Sequence, residues 1–224
     1  MSNLRSGTFG EYYGSYYGES SALTWTQMEK NAEYIFSYLT HEGWTAEAIA
    51  GLLGNLHHES SINPGRWQND NVGGGPAYGI VQWDPWTKYV NWCTEQGFAD
   101  PSEMDNALAR IIYELENGLQ YIPTSSYPLT FNAFTESRES PYYLACAFAW
   151  NYERSWVVLY GSEEEKAALR KLRGESAETW YSYLTGLDPK PPPWFPGGGG
   201  SGTTKKRTGY NFVLFGKRRR FIHG

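Results

Sequence analysis

Glu59 is the residue whose type and position best suit acid–base chemistry. It follows the apolar stripe Ile49, Leu52, Leu53 and Leu56, and positions 52, 56, 59 and 60 fall on one side of a helix. A carboxyl group set where leucines point loses hydration, which disfavours its charged form and raises its pKa. A general acid working near neutral pH needs that property. The plainer alternative is a helix-end glutamate that swings into water. Downstream lie Asn63, Gln68, Tyr78, Gln82 and Trp83, a set of amides, a hydroxyl and flat rings.

The elements that must position these residues read as helices. Thr26 with Glu29 forms a capping box ahead of Met28, Ala32, Ile35, Phe36 and Leu39, and Gly43 ends that helix. Trp44 and Thr45 open the next as staple and cap, and it runs to Ser60 or Ser61 before Pro64. Residues 63–83 read as a long loop with room for a short hairpin. A third helix is expected over 86–96, with Asp84 as its cap. Asp100, Pro101 and Glu103 give an acid cap, a proline at the first position and an acid at the third, leading into Met104, Leu108, Ile111, Ile112 and Leu115. Short helices follow near 130–137 and from Ser140–Pro141 to Tyr152. Two more, 162–173 and 175–184, close at Gly186. Without βαβ alternation, the expected body is mainly α-helical.

Composition limits the classes. The chain has 224 residues, 17% of them aromatic, and a formal net charge of -5. It holds no apolar run near the roughly 18 residues that a membrane helix needs, so no membrane-spanning segment is expected. No signal peptide is visible at the N-terminus. Cys93 and Cys146 are too few for a disulfide scaffold, and the four histidines show no ligand spacing with them, so neither a metal site nor a cofactor is predicted. Charge divides the chain. Residues 201–224 carry 7 Lys/Arg and no acid, while the rest holds 12 Lys/Arg against all 24 Asp/Glu. The expected organisation is a Tyr/Gly-rich arm at 1–23, read as loosely ordered, and a domain at 24–187. A Pro/Gly linker at 188–203 and a basic tail at 204–224 follow.

The runs AIAGLLGNLHHESSINPGRWQN (48–69) and AYGIVQW (77–83) resemble the phage tail-associated lysozyme family, the muramidase domains of tail-tip proteins from small podovirus-like phages of Gram-positive hosts. MEKNAEYIFSYLTHEGW (28–44), AFAWNYERS (147–155) and ETWYSYLTG (178–186) extend the similarity over roughly 25–187. The resemblance implies a lysozyme-like fold of the goose-type and lytic-transglycosylase kind, with a small loop or β-hairpin lobe. It implies that Glu59 protonates the glycosidic oxygen between N-acetylmuramic acid and N-acetylglucosamine. Asn63, Gln68, Tyr78, Gln82 and Trp83 would then line a polysaccharide groove, though Trp83 and Trp86 also read as core residues of the third helix. Gly79 would allow close approach of the backbone.

A glycosidase usually needs a second group, either a carboxylate at a set distance from the acid or the substrate's own acetamido group. Asp70, 11 residues beyond Glu59, is the first candidate. Glu153 is the second, although Arg154 beside it suggests a structural ion pair instead. Tyr152 resembles the transglycosylase tyrosine that orients the catalytic glutamate, and core packing suits it equally. Implied partners are bacterial peptidoglycan and other phage tail proteins, with the protein in the virion at the tail tip or knob, acting on the host wall. The basic, aromatic tail is compatible with phosphate contact, but the acidic body argues against a specific nucleic-acid partner. A lytic transglycosylase, or a wall-binding tail protein without turnover, are the alternatives.

Overall fold

Thr24, rather than Thr26, caps the first helix in the computed structural model, which describes residues 2–187. Its hydroxyl accepts from the Gln27 amide, and the Gln27 side chain answers the Thr24 N–H, so the capping box exists two residues earlier than expected. Helix α1 spans Trp25–His41 and α2 Ala46–Ser60, the latter capped by Thr45 and stopped by Ser61 in the left-handed region. After a loop come α3 (Thr87–Gln96), α4 (Met104–Glu116), α5 (Phe131–Thr135), α6 (Pro141–Phe148), α7 (Trp156–Tyr160) and α8 (Glu163–Leu184). The fold is mainly α-helical and lysozyme-like, with one small antiparallel hairpin.

Three further starts and breaks depart from expectation. Met104, not Pro101, opens α4, because Asp100 spends its carboxylate on the Ser102 amide at 2.9 Å and on Arg5 at 2.7 Å. Helix α3 is entered through Trp86 with no side-chain cap, so Asp84 does not serve there. Residues 163–184 form one helix. Gly174, which reads as a break, faces the Tyr142 ring and lets α6 and α8 close together.

Helices α2, α6 and α8 make the centre. Glycines on α2 set the approach: a Cβ on Gly51 would stand 2.8 Å from Leu144 Cβ on α6, and one on Gly54 2.6 Å from the Arg173 carbonyl oxygen on α8. Backbone contacts this close hold the end of α2, and hence Glu59, beside α8.

The N-terminal arm is ordered, not loose. Strands β1 (Asn3–Gly7) and β2 (Gly10–Gly14) pair antiparallel around a Thr8–Phe9 turn. Tyr12 and Phe9 are buried against α1, where Asn31 exchanges bonds of 2.6 and 2.7 Å with the Tyr13 backbone. Arg5 reaches Asp100 and Ser102, and the Thr8 hydroxyl reaches Asp105 at 2.7 Å. Beyond the hairpin the chain runs along the 61–83 loop. The hairpin lobe therefore comes from the arm, while residues 63–83 hold only isolated bridges, Trp67 with Tyr78 and Tyr78 with Trp83, and a short 3-10 turn at Gln68–Asp70. The linker and basic tail lie outside the described residues. Among the described residues no helix is long and apolar enough to cross a membrane, and no three His, Cys, Asp or Glu side chains gather as a metal site.

Candidate active site

The last turn of α2 delivers Glu59, whose side chain keeps 21% of its surface exposed. It does not lie among leucines alone. The Arg173 guanidinium of α8 donates to Glu59 Oε1 through NH2, while its NH1 donates to the Asn55 carbonyl at 2.9 Å. Arg173 was open to the same reading that singles out Glu59, since it shares an α8 stripe with Ala177, Trp180 and Leu184. A charge on an apolar stripe calls for a partner of opposite sign. His57 and His58 sit beside this pair. Burial, helped by the Arg173 charge, pushes both imidazoles down, His58 to about 4, so neither adds a cation at neutral pH.

Glu153 comes from a different direction. The chain leaves α6 through a π-helical turn, Ala149–Glu153, closed by the Arg154 amide donating to the Ala149 carbonyl at 2.9 Å. Such a turn re-aims the side chains that follow it and recurs at functional sites. Here it turns Glu153 inward. Its Oε1 is shut off from water without a hydrogen-bond partner. Burial raises the Glu153 carboxyl well above the usual range, and the nearby charge of Glu59 pushes the same way against the pull of Arg173. The expected ion pair with Arg154 is absent. Arg154 donates instead to the carbonyls of Gln120 and Asn151, the latter at 3.1 Å, stitching the turn to the 117–122 loop.

Asp70 is also spoken for. Arg66 grips it through Nε at 3.0 Å and NH2 at 3.1 Å, and the Ser20 hydroxyl donates to it at 2.7 Å. Asn63 is fully buried rather than lining a groove. Its amide donates to Ser15 Oγ and the Ser21 carbonyl, and its oxygen accepts from the Ser15 and Gly65 amides. Gln82 braces the loop, donating to the carbonyls of Arg66 at 3.0 Å and Gly79 at 2.8 Å, while the half-buried Gln68 pairs its backbone with Ala77. Tyr78 is buried among Tyr17, Trp67 and Tyr89, its hydroxyl without a partner. Gly79 has φ +91 and lies under the Trp83 ring, where a Cβ would come within 2.7 Å of Cε3. Close approach is indeed its use, toward an indole.

Trp83 and Tyr152 belong to the core and meet at a residue sequence reading passed over. Glu114, fully buried on α4, accepts from Trp83 Nε1 at 3.2 Å, from Arg110 Nε at 2.9 Å and from the Tyr152 hydroxyl. Tyr152 thus orients Glu114, not Glu59. An Arg–Glu pair four residues apart, with Glu114 three residues beyond Ile111, was the available signal. The structure therefore joins Glu59 to Arg173 and sets Glu153 within electrostatic reach, while most of the polar set braces the loop beside them.

A family model of phage tail lysozymes matches residues 30–184. The chain is also similar to "Morphogenesis protein 1" of Bacillus phage B103, 40% identical over 172 residues, which take in 76% of this chain and 44% of that protein. It therefore spans less than half the length of this relative. With a match that runs from the middle of α1 to the last residue of α8 and encloses Glu59, Arg173 and Glu153, the chain belongs to the phage tail lysozyme family.

Proposed function

We propose that this protein is a peptidoglycan muramidase, cleaving the β-1,4 bond between N-acetylmuramic acid and N-acetylglucosamine, and that it opens the cell wall locally for a phage tail during DNA entry. The observation that carries the reading is Glu59: a partly exposed carboxyl at the end of α2, backed by the Arg173 guanidinium, with the half-buried Glu153 nearby. Protonated Glu59 donates to the leaving oxygen, charge develops on the sugar ring, and water completes cleavage. Arg173 holds the resulting carboxylate in place for the next turnover.

One observation favours a second reading. Asp70 has both oxygens engaged by Arg66 and one also by Ser20, which leaves it poorly placed to activate water. A lytic transglycosylase needs no second carboxylate, because the muramic acid C6 hydroxyl takes the place of water.

Mass spectrometry of products from Gram-positive peptidoglycan, with Glu59→Gln run beside the wild type, decides between them. Reducing-end N-acetylmuramic acid from the wild type alone is the expected result. A 1,6-anhydromuramic acid end would establish the transglycosylase. No products from either protein, with binding to the wall intact, would make this a wall-binding tail component.

A further inference from the structure

From Glu59 the site continues along α8 in three rungs. Positions 173, 176 and 180 share one face of that helix, and each meets a successive residue at the end of α2. Arg173 donates to Glu59 Oε1, His58 Nε2 and Ser176 Oγ lie 2.8 Å apart, and the His57 ring stands 5.9 Å from the Trp180 indole. The two imidazoles stack on one another at 4.6 Å, which joins the second rung to the third. Trp180 itself is buried, and Trp25, the first residue of α1, covers it. The indoles stack at 4.8 Å and 12°, and His57 borders Trp25 at 5.7 Å. Trp25 Nε1 donates to Glu29 at 2.8 Å, which fixes the ring in its plane. It still keeps 43% of its surface in water. A lone exposed tryptophan is ordinary. One locked by a stack, a hydrogen bond and a neighbouring ring, at the end of a row that starts at Glu59, is pre-organised for a ligand.

We propose that Trp25 is a sugar-stacking platform, and that the glycan strand runs from Glu59 past His58 and His57 to reach it. The inference rests on the reading of this site as a peptidoglycan glycosidase and gives the strand a direction. A pyranose ring presents an apolar face of C–H groups with partial positive charge, which packs on the negative face of an indole. Its hydroxyl and acetamido groups project at the rim. There the exposed His58 and the half-buried Ser176 offer a ring nitrogen and a hydroxyl as partners. The seven residues from Arg173 to Trp180 span about 10 Å of helix. A strand whose scissile bond lies at Glu59 therefore meets the platform a short way along its length.

The test uses the Glu59→Gln protein, which should bind without cutting, and soluble glycan strands of alternating N-acetylglucosamine and N-acetylmuramic acid. In nitrogen-15 NMR the Trp25 Nε1–H signal, identified by its loss when Trp25→Phe is added, should shift as strands are titrated in. Trp25→Leu in the same background still covers Trp180 with apolar surface but offers no flat ring. It should weaken strand binding in calorimetry about tenfold, with a dispersed amide spectrum to show that it folds. If that variant does not fold, the indole signal of the intact ring decides. Strands that fail to bind, a Trp25 signal that stays still while they do, or an unchanged affinity in folded Trp25→Leu would overturn the inference. So would a signal that moves with protein concentration alone, which would give the platform to a second copy of the chain. A wild type that cuts no glycan removes the muramidase reading instead, and a Trp25 shift on strand binding would leave the platform standing.

Discussion

A carboxylate gripped by two N–H groups along one edge of a guanidinium has little left to offer a water molecule, since its lone pairs already accept charge-assisted hydrogen bonds. That is the position of Asp70, and it separates the two acids that sequence alone ranks as second groups. Asp70→Asn should lower peptidoglycan turnover less than about tenfold, in the range left by one general-base contribution of 10²–10⁴ being absent. A loss above a hundredfold, measured as kcat under saturating substrate, would return Asp70 to the chemistry. Glu59 itself was legible because it continues a leucine stripe. Arg173 was legible by the same rule as a charge on an apolar stripe, but the pairing was not, since the two lie 114 positions apart and nothing local links them. Asn63 and Gln82 were misleading for a simple reason. Amides that suit a sugar edge suit a loop's backbone equally well, and composition does not distinguish them.

At the scale of elements, the site depends on how near α8 comes to α2. A glycine in mid-helix costs roughly 1 kcal/mol relative to alanine, so Gly54→Ala would stabilise an isolated α2. In the fold the sign reverses, because the new Cβ would meet the Arg173 carbonyl at 2.6 Å and the Ala177 Cβ at 2.8 Å. Overpacking of this kind costs about 1–3 kcal/mol. Gly54→Ala should therefore lower Tm in calorimetry and reduce activity as well, since α8 carries Arg173 away from Glu59. Helix starts marked by side-chain caps, Thr45 and Ser140, were readable because a cap is a local event. The start of α4 and the continuity of α8 were not. Asp100 is claimed by Arg5 from 95 residues away, and Gly174 is a contact point for Tyr142 rather than a break. In each case a tertiary partner overrides the local signal.

Across the whole molecule, the N-terminal arm acts as a strap. Its hairpin is anchored to α1 and to the start of α4, and its continuation supplies Ser15, Tyr17, Ser20 and Ser21 to the 61–83 loop. Trp67 Nε1 donates to the Tyr17 carbonyl at 2.8 Å, and the Trp67 amide to Ser20 Oγ at 3.0 Å. Alternating tyrosine and glycine gave no period from which to read this, because the arm's order comes from its partners. Arg5→Ala should cost about 2 kcal/mol, the scale of a lost hydrogen bond to a charged group. Chemical denaturation would show it as a lower midpoint with an unchanged slope, whereas an unaltered midpoint would mean the arm is dispensable. The strap also fixes an order of events during synthesis. The hairpin can reach Asp100 and Asp105 only once the start of α4 has been made, so a chain still short of α4 keeps the arm's ties to Asn31 and to the 61–83 loop but lacks those that Arg5 and Thr8 make at the far anchor.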